Sequence, residues 1–311
     1  MPTRDVIVGA LARVAWYALD VPCAWCLRTD ERAACAWKDD DDDDEGMDED
    51  YETSLLFSSA NASMREILDD GRAERVRHMN GKMFDAHLEE VAALLRAWGA
   101  PEACATAGLG HTVYGSEAFP VRLKRFVDRK STRAAVGTWA ERLMFAYATT
   151  SQRKWYRAMV SEEFDGDRGE STPKFAAINF YTGERREMSD LEGAMLTLMH
   201  AADVYSVLKR DVETDEMRVA VGFVLRLIVV ASEGFQRAAR QTANVNVRNE
   251  LTKLHRHLDE TVVRDIVSSS VRGASSSNLS SIRDSGIEAT TKTLRRARTD
   301  AGLVLRATGV V

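Results

Sequence analysis

Histidine, cysteine and proline are scarce in this chain of 311 residues, with six, four and five copies. So few prolines leave long stretches where helix can run unbroken, and the many Ala, Leu, Arg and Glu residues lean the same way. Four cysteines, Cys23, Cys26, Cys35 and Cys104, are too few to staple a chain of this length, which points to a reducing, cytoplasmic setting. Cys23-Ala-Trp-Cys26 has a spacing zinc accepts, but a structural zinc site wants four ligands. Only Cys35 lies near, and the first histidine is His78. Coincidence is the better reading. Long apolar runs are missing too. The best, VAVGFVLRLIVVA (219–231), is broken by Arg226 and suits a buried amphipathic helix, so no membrane partner is expected. Asp5, Arg13 and Asp20 interrupt the apolar amino-terminal stretch, so no signal peptide is expected there, and an organelle transit peptide stays open.

The net charge of −6 is concentrated in one place. Residues 39–50, DDDDDDEGMDED, carry ten acidic side chains, and the rest of the chain is slightly basic. A run of six aspartates repels itself and stays solvated, so residues 38–53 read as a disordered acidic spacer, with an acidic partner-binding arm as the lesser alternative. Ahead of it, residues 1–37 include VIVGALARVAWYAL, apolar enough for a helix whose partner is not evident. Behind the globular part, 54–266, the chain turns serine-rich and then basic (LRRARTDAGLVLR), a mobile tail over 267–311. A lone cluster of arginines is weak evidence for nucleic acid, which is not expected as a partner.

Between these ends the pattern predicts a mostly α fold. Helical spacing marks 61–77, then 84–98, where Phe84, Leu88, Val91, Leu94, Leu95 and Trp98 share a face. Gly99 is a stop signal and Pro101 suits the first turn of the next helix, the small-residue segment PEACATAGLGH. Helices are expected at 119–128, 132–149, 191–210, 215–240 and 248–266. Residues 174–188, KFAAINFYTGERREM, instead place β-favouring residues around Thr-Gly, which predicts a small hairpin. Ser189 and Glu192 have the spacing of a capping box opening the 191–210 helix.

Four of the six histidines, His78, His87, His111 and His200, fall in the central part of the chain. His255 and His257 alternate on a charged helix and read as surface residues. His87 stands near a helix start, His111 at the end of the following helix, and His200 and Asp203 share one face of a later helix. Imidazole and carboxylate are the usual ligands of Zn, Mn and Fe, and metal sites in helical bundles are built from facing helices. Each histidine taken alone is more often a satisfied core or cap residue.

The stretch from His87 to Glu117, HLEEVAALLRAWGAPEACATAGLGHTVYGSE, resembles the opening of HD-domain proteins. These are helical metal-dependent phosphohydrolases, among them the domains that hydrolyse the alarmone (p)ppGpp. The shared features are a helical His with an apolar face, a turn, and a helix ending in Ala-Gly-Leu-x-His; His200-Ala-Ala-Asp203 resembles the later helix that contributes an Asp. His111-Thr-Val-Tyr-Gly is similar to an uncharacterised group of HD-like domains bearing His-Ser/Thr-x-Tyr-Gly, with Trp-Gly ahead of it as in Trp98-Gly99. The resemblance covers about residues 60–210. It implies an HD-like multi-helix bundle in which His87, His111 and Asp203 hold one divalent metal, with His78 or His200 as a further ligand. It implies a phosphorylated small molecule, such as a nucleotide, as substrate, and Glu117 or Glu89 as the group that moves a proton.

One departure stands out. Thr112 replaces the aspartate of the His-Asp doublet, and a neutral hydroxyl is a poor ligand. Three readings follow. The first is a metal-dependent phosphohydrolase. The second is a catalytically silent ligand-binding or protein-interaction module, with Thr112 and Tyr114 lining its pocket. In the third, His111 merely closes a helix, where partial negative charge favours a cation.

Overall fold

The computed structural model describes residues 34, 36–37, 61–71, 73–76, 83–119, 122–160, 175–208 and 215–271. His78, the acidic run and the basic carboxyl end lie outside the described residues, as does the expected helix VIVGALARVAWYAL. Ten α-helical segments and one hairpin follow one another within this set. They are α1 (Asn61–Asp70), α2 (Phe84–Ala97), α3 (Glu102–Leu109), α4 (Arg129–Val136), α5 (Thr138–Thr149) and α6 (Gln152–Val160), then β1 (Ala176–Ile178) and β2 (Arg185–Glu187). After the hairpin come α7 (Asp190–Leu208), α8 (Asp215–Gln241), α9 (Val245–His257) and α10 (Val263–Val271). The fold is mostly α, as the pattern predicts, and the hairpin falls where it is expected, antiparallel with Ala177 opposite Arg186. Among the described residues no helix is long and apolar enough to cross a membrane.

The centre is α7. From Leu191 to Asp203 every side chain or Cα of this helix is buried, so it is covered on all sides rather than along one stripe. α8 packs along it, α9 packs on α8, and α2, α3 and α5 cover its other faces. Such placement makes every polar side chain on α7 expensive unless it finds a partner. Ser189 opens the helix as expected, its Oγ accepting from the Glu192 amide at 3.1 Å. The other half of the capping box differs: the buried Glu192 carboxylate turns to Arg142 and Arg186. Two guanidiniums outcompete one backbone amide for a buried charge.

Glycines set the spacing around α7. A Cβ on Gly193 would lie 2.1 Å from Phe175 Cγ, and one on Gly234 2.9 Å from Phe175 Cε2. The two glycines form a notch between α7 and α8 that the fully buried Phe175 ring fills. On α3, a Cβ at Gly108 would lie 2.3 Å from Leu95 Cδ1. One at Gly110 would lie 2.4 Å from Met144 Sδ and 2.7 Å from Met64 Sδ. The Ala/Gly segment thus brings the end of α3 tight against α2, α1 and α5.

Four expected boundaries move. The first helix stops at Asp70, and only a short 3-10 turn, Ala73–Arg75, continues it. The span 132–149 breaks at Gly137, whose φ of 87° is the left-handed region that glycine tolerates. Residues 122–125 are irregular and only Phe126–Asp128 forms a 3-10 turn, because the Leu123 and Lys124 amides both bond to the Val113 carbonyl. α6, over QRKWYRAMV, was not expected at all. The helix expected at 248–266 begins earlier, at Val245, and its continuation ends later, at Val271. Asn244 caps α9 by accepting from the Asn246 and Val247 amides, and a wide turn, Leu258–Val262, carries the chain into α10. At the amino end Trp37 is buried, and its indole donates to Thr149 Oγ1 at 2.9 Å. That ring is covered by Arg186, 5.4 Å from its centroid.

Candidate metal centre

His87 sits in the first turn of α2, His111 in the turn that follows α3, and Asp203 on α7. All three are buried. Each offers one ligand atom, and these atoms all lie within 4.8 Å of one another. Asp203 Oδ1 is the shared point, 3.1 Å from His87 Nε2 and 3.7 Å from His111 Nε2. Donors bound at about 2.0–2.1 Å around a tetrahedral ion stand roughly 3.3 Å apart. The two observed separations straddle that edge.

The far side of each ring decides which nitrogen faces inward. His111 Nδ1 lies 2.8 Å from the Gly108 carbonyl, which can only accept, so Nδ1 carries the proton and Nε2 of the neutral ring carries the lone pair. Ser206 Oγ donates to the Asp203 carbonyl at 2.8 Å, and its oxygen is then left to accept from His87 Nδ1 at 3.1 Å. Both imidazoles are thus held by a backbone or hydroxyl oxygen at Nδ1, with Nε2 turned to the carboxylate. This is the outer support that ligating histidines need. His111 does close its helix by bonding the i−3 carbonyl, and the same bond aims its other nitrogen at Asp203.

Asp203 is held from the opposite side by Tyr147 on α5, whose hydroxyl donates to Oδ2 at 2.6 Å. Burial would raise the Asp203 carboxyl, but the His87 and His111 imidazoles beside it and the Tyr147 hydroxyl outweigh it and hold it below the usual carboxylate range. The Tyr147 ring is fixed on both faces, edge-on to His111 at 4.9 Å and stacked on His200 at 4.4 Å. His200 therefore stands one layer behind the triad and is not among the three residues whose ligand atoms converge. Its Nδ1 meets the Tyr156 hydroxyl at 3.1 Å, and burial lowers its pKa to about 3.

The remaining expected site residues are spread out. Glu89 is on the outer face of α2, its side chain half exposed and paired with Arg65 at 2.6 Å. Two residues on from His87 is about 200° round a helix, so the two cannot share a face. Glu117 caps α6: its carboxylate accepts from the Arg153 amide at 3.2 Å and faces Ser151 Oγ at 3.3 Å, while burial raises its pKa. Tyr114 is buried, stacked on Phe126, and donates to Glu141 Oε1 at 3.2 Å. Glu141, fully buried, also takes Arg129 at 2.7 Å and Arg133 at 3.4 Å. Tyr114 thus belongs to a closed ionic cluster. Thr112 is buried, and among the described residues its hydroxyl has no hydrogen-bond partner. His255 is not a plain surface residue: its Nδ1 lies 2.7 Å from Ser232 Oγ and its Nε2 3.2 Å from the Gln236 amide.

Tyr147 and Ser206 went unsuspected from the sequence. Ser206 lies one helical turn past Asp203, which is a readable signal; Tyr147, inside the apolar run LMFAYAT, offers none.

Residues 67–152 match the model of a family described as a domain of unknown function (DUF6817). No curated protein and no solved structure matches the chain. The matched segment contains His87, His111 and Tyr147, while Asp203 and Ser206 lie beyond it. Among the described residues, a buried group of two imidazoles and one carboxylate could hold a metal ion.

Proposed function

We propose that the domain is an HD-like, cytoplasmic, divalent-metal-dependent phosphohydrolase, its ion held by His87, His111 and Asp203. The single observation behind this reading is the shared Oδ1 of Asp203, approached by two imidazole Nε2 atoms whose Nδ1 atoms are both engaged elsewhere. Two neutral nitrogens and one oxygen suit Mn, Zn or Fe rather than calcium, which takes six to eight oxygens. When bound, such an ion supplies Lewis-acid polarisation of a phosphoryl oxygen and activation of water. Three protein ligands leave positions for both. His87 and His111 orient the site through their Nδ1 bonds, and Asp203 supplies its negative charge. A phosphorylated small molecule such as a nucleotide is the substrate class that the HD-like resemblance carries.

One observation favours a second reading. Glu89 faces solvent and Glu117 caps a helix, so neither expected proton carrier stands at the triad, and Thr112 offers no charge. A metal-binding but catalytically silent ligand-binding or interaction module fits those facts. Metal analysis of the purified chain, followed by phosphate release from a panel of nucleotides and phosphomonoesters, separates the two. About one equivalent of transition metal, lost in folded His87→Ala and His111→Ala, with metal-dependent turnover, supports the hydrolase. Bound metal without turnover supports the module. A metal-free chain that takes up no Zn, Mn or Fe overturns both.

A further inference from the structure

We infer that Tyr147 is a positioning residue that confines Asp203 to ligation through one oxygen, and thereby sets the affinity and coordination number of the metal; this rests on the metal reading above. A carboxylate on a helix can turn about its last torsion and present one oxygen or both. Here that freedom is removed. The Tyr147 hydroxyl holds Oδ2 at 2.6 Å, on the side away from the oxygen that the two Nε2 atoms approach. The length of that bond is typical of a hydroxyl donating to an ionised carboxylate, the stronger kind of hydrogen bond.

Tyr147 is itself immobilised, which a positioning role requires. Its ring is stacked at 27° on His200 and set at 75° against His111. His200 in turn is anchored by the Tyr156 hydroxyl and packed beside Trp155. The chain of support therefore runs from α6 through α7 to α5 and ends on the carboxylate. His111 touches both ends of it, as the edge-on neighbour of Tyr147 and as a donor to the metal position. Oδ1 is left as the ligand atom, and a site of two nitrogens and one oxygen favours few, short bonds over the chelating carboxylates of larger ions.

Cobalt(II) serves as the probe, because its visible d–d bands weaken as coordination rises above four. Titration of the full chain with Co(II), and competition with Zn(II), is carried out for wild type and Tyr147→Phe, which keeps both ring contacts. Removing an outer hydrogen bond to a ligand weakens binding by about 10–100-fold. The expected result is a loss in that range together with weaker d–d absorption, as Oδ2 joins the ion. Equal affinity with identical bands in the two proteins overturns the inference while leaving the metal reading intact. Failure of wild type to bind Co(II) or Zn(II) removes the metal reading itself. X-ray absorption of the wild-type Zn(II) form needs no variant: the carbon of a chelating carboxylate, close behind its two oxygens, is expected to be absent, and its presence overturns the assignment.

Discussion

Replacing Asp203 by Asn tells a metal centre from a structural clamp by the sign of its effect. The amide is nearly isosteric with the carboxylate. Its oxygen can accept from the Tyr147 hydroxyl as Oδ2 does now, and its NH2 group can donate to His87 Nε2, which stands 3.1 Å from Oδ1. Without metal, the amide oxygen and an amide hydrogen of Asp203→Asn therefore have partners, and no carboxylate charge is buried. The expected apo stability is within about 1 kcal/mol of wild type. Metal separates them. At one hundred times its Kd an ion that binds only the folded state adds about 2.7 kcal/mol. For a domain of this size that is roughly 5–10 °C in Tm. Wild type should show this rise with Zn(II) or Mn(II), and Asp203→Asn should show little of it. If Asp203 were instead one half of a buried ion pair with the imidazoles, breaking the pair would cost about 3–5 kcal/mol without metal. Thermal unfolding in chelator and in excess metal reads both numbers. A variant that loses several kcal/mol in chelator, beside a wild type indifferent to metal, refutes the reasoning.

Two further outcomes are open to measurement. Gly193→Ala should destabilise by about 2–4 kcal/mol in urea, because overpacking against Phe175 outweighs the helix-propensity gain of roughly 1 kcal/mol, and the same substitution should cost less in a Phe175→Ala background. A Gly193→Ala chain more stable than wild type would mean that the notch is not filled. His200, buried and lowered to about 3 from 6.5, takes up a proton in the unfolded chain before it does so in the folded one. Its contribution to stability is therefore present above pH 6.5 and is lost as pH falls toward 3, with a slope of at most about 1.4 kcal/mol per pH unit. His200→Asn in chelator should flatten that slope between pH 6.5 and 4.5, and an unchanged slope assigns the loss to other groups.

The helices were legible where one periodic pattern ran from cap to stop. Phe84–Ala97 ends at Gly99 as its sequence says, and the Ser189 cap opens α7. Where tertiary contacts rule, the sequence was silent. Nothing in VRLKRFVD announces that the Leu123 and Lys124 amides bond to Val113, and the basic residues of QRKWYRAMV hid Trp155, Tyr156 and Met159, whose side chains are buried. His87, His111 and Asp203 were legible as residue types at suggestive places, but their convergence depends on Gly108 and Gly110, which let α3 approach α2 and α5. Glu89 was separable by arithmetic alone, since its angular distance from His87 excludes a shared face. Glu117 was not: its role as a cap for α6 exists only because the chain brings residue 117 beside residue 153.

The extent of the functional unit follows from where the ligands come from. The matched segment, 67–152, supplies two imidazoles and the tyrosine that holds the carboxylate, yet the carboxylate arrives on α7, some fifty residues later. From Leu191 to Asp203 α7 is buried on all sides, and α8 packs along it as α2 and α3 do. A fragment ending near Gln152 would lose α7, which packs against α2, α3 and α5, and with it the Asp203 carboxylate that both Nε2 atoms face. The same holds for the imidazoles themselves, because Ser206, which fixes His87, is also on α7. The unit that brings His87, His111 and Asp203 together is therefore the bundle from α2 through α8, and an excised 67–152 piece is expected neither to fold cooperatively nor to take up Zn(II).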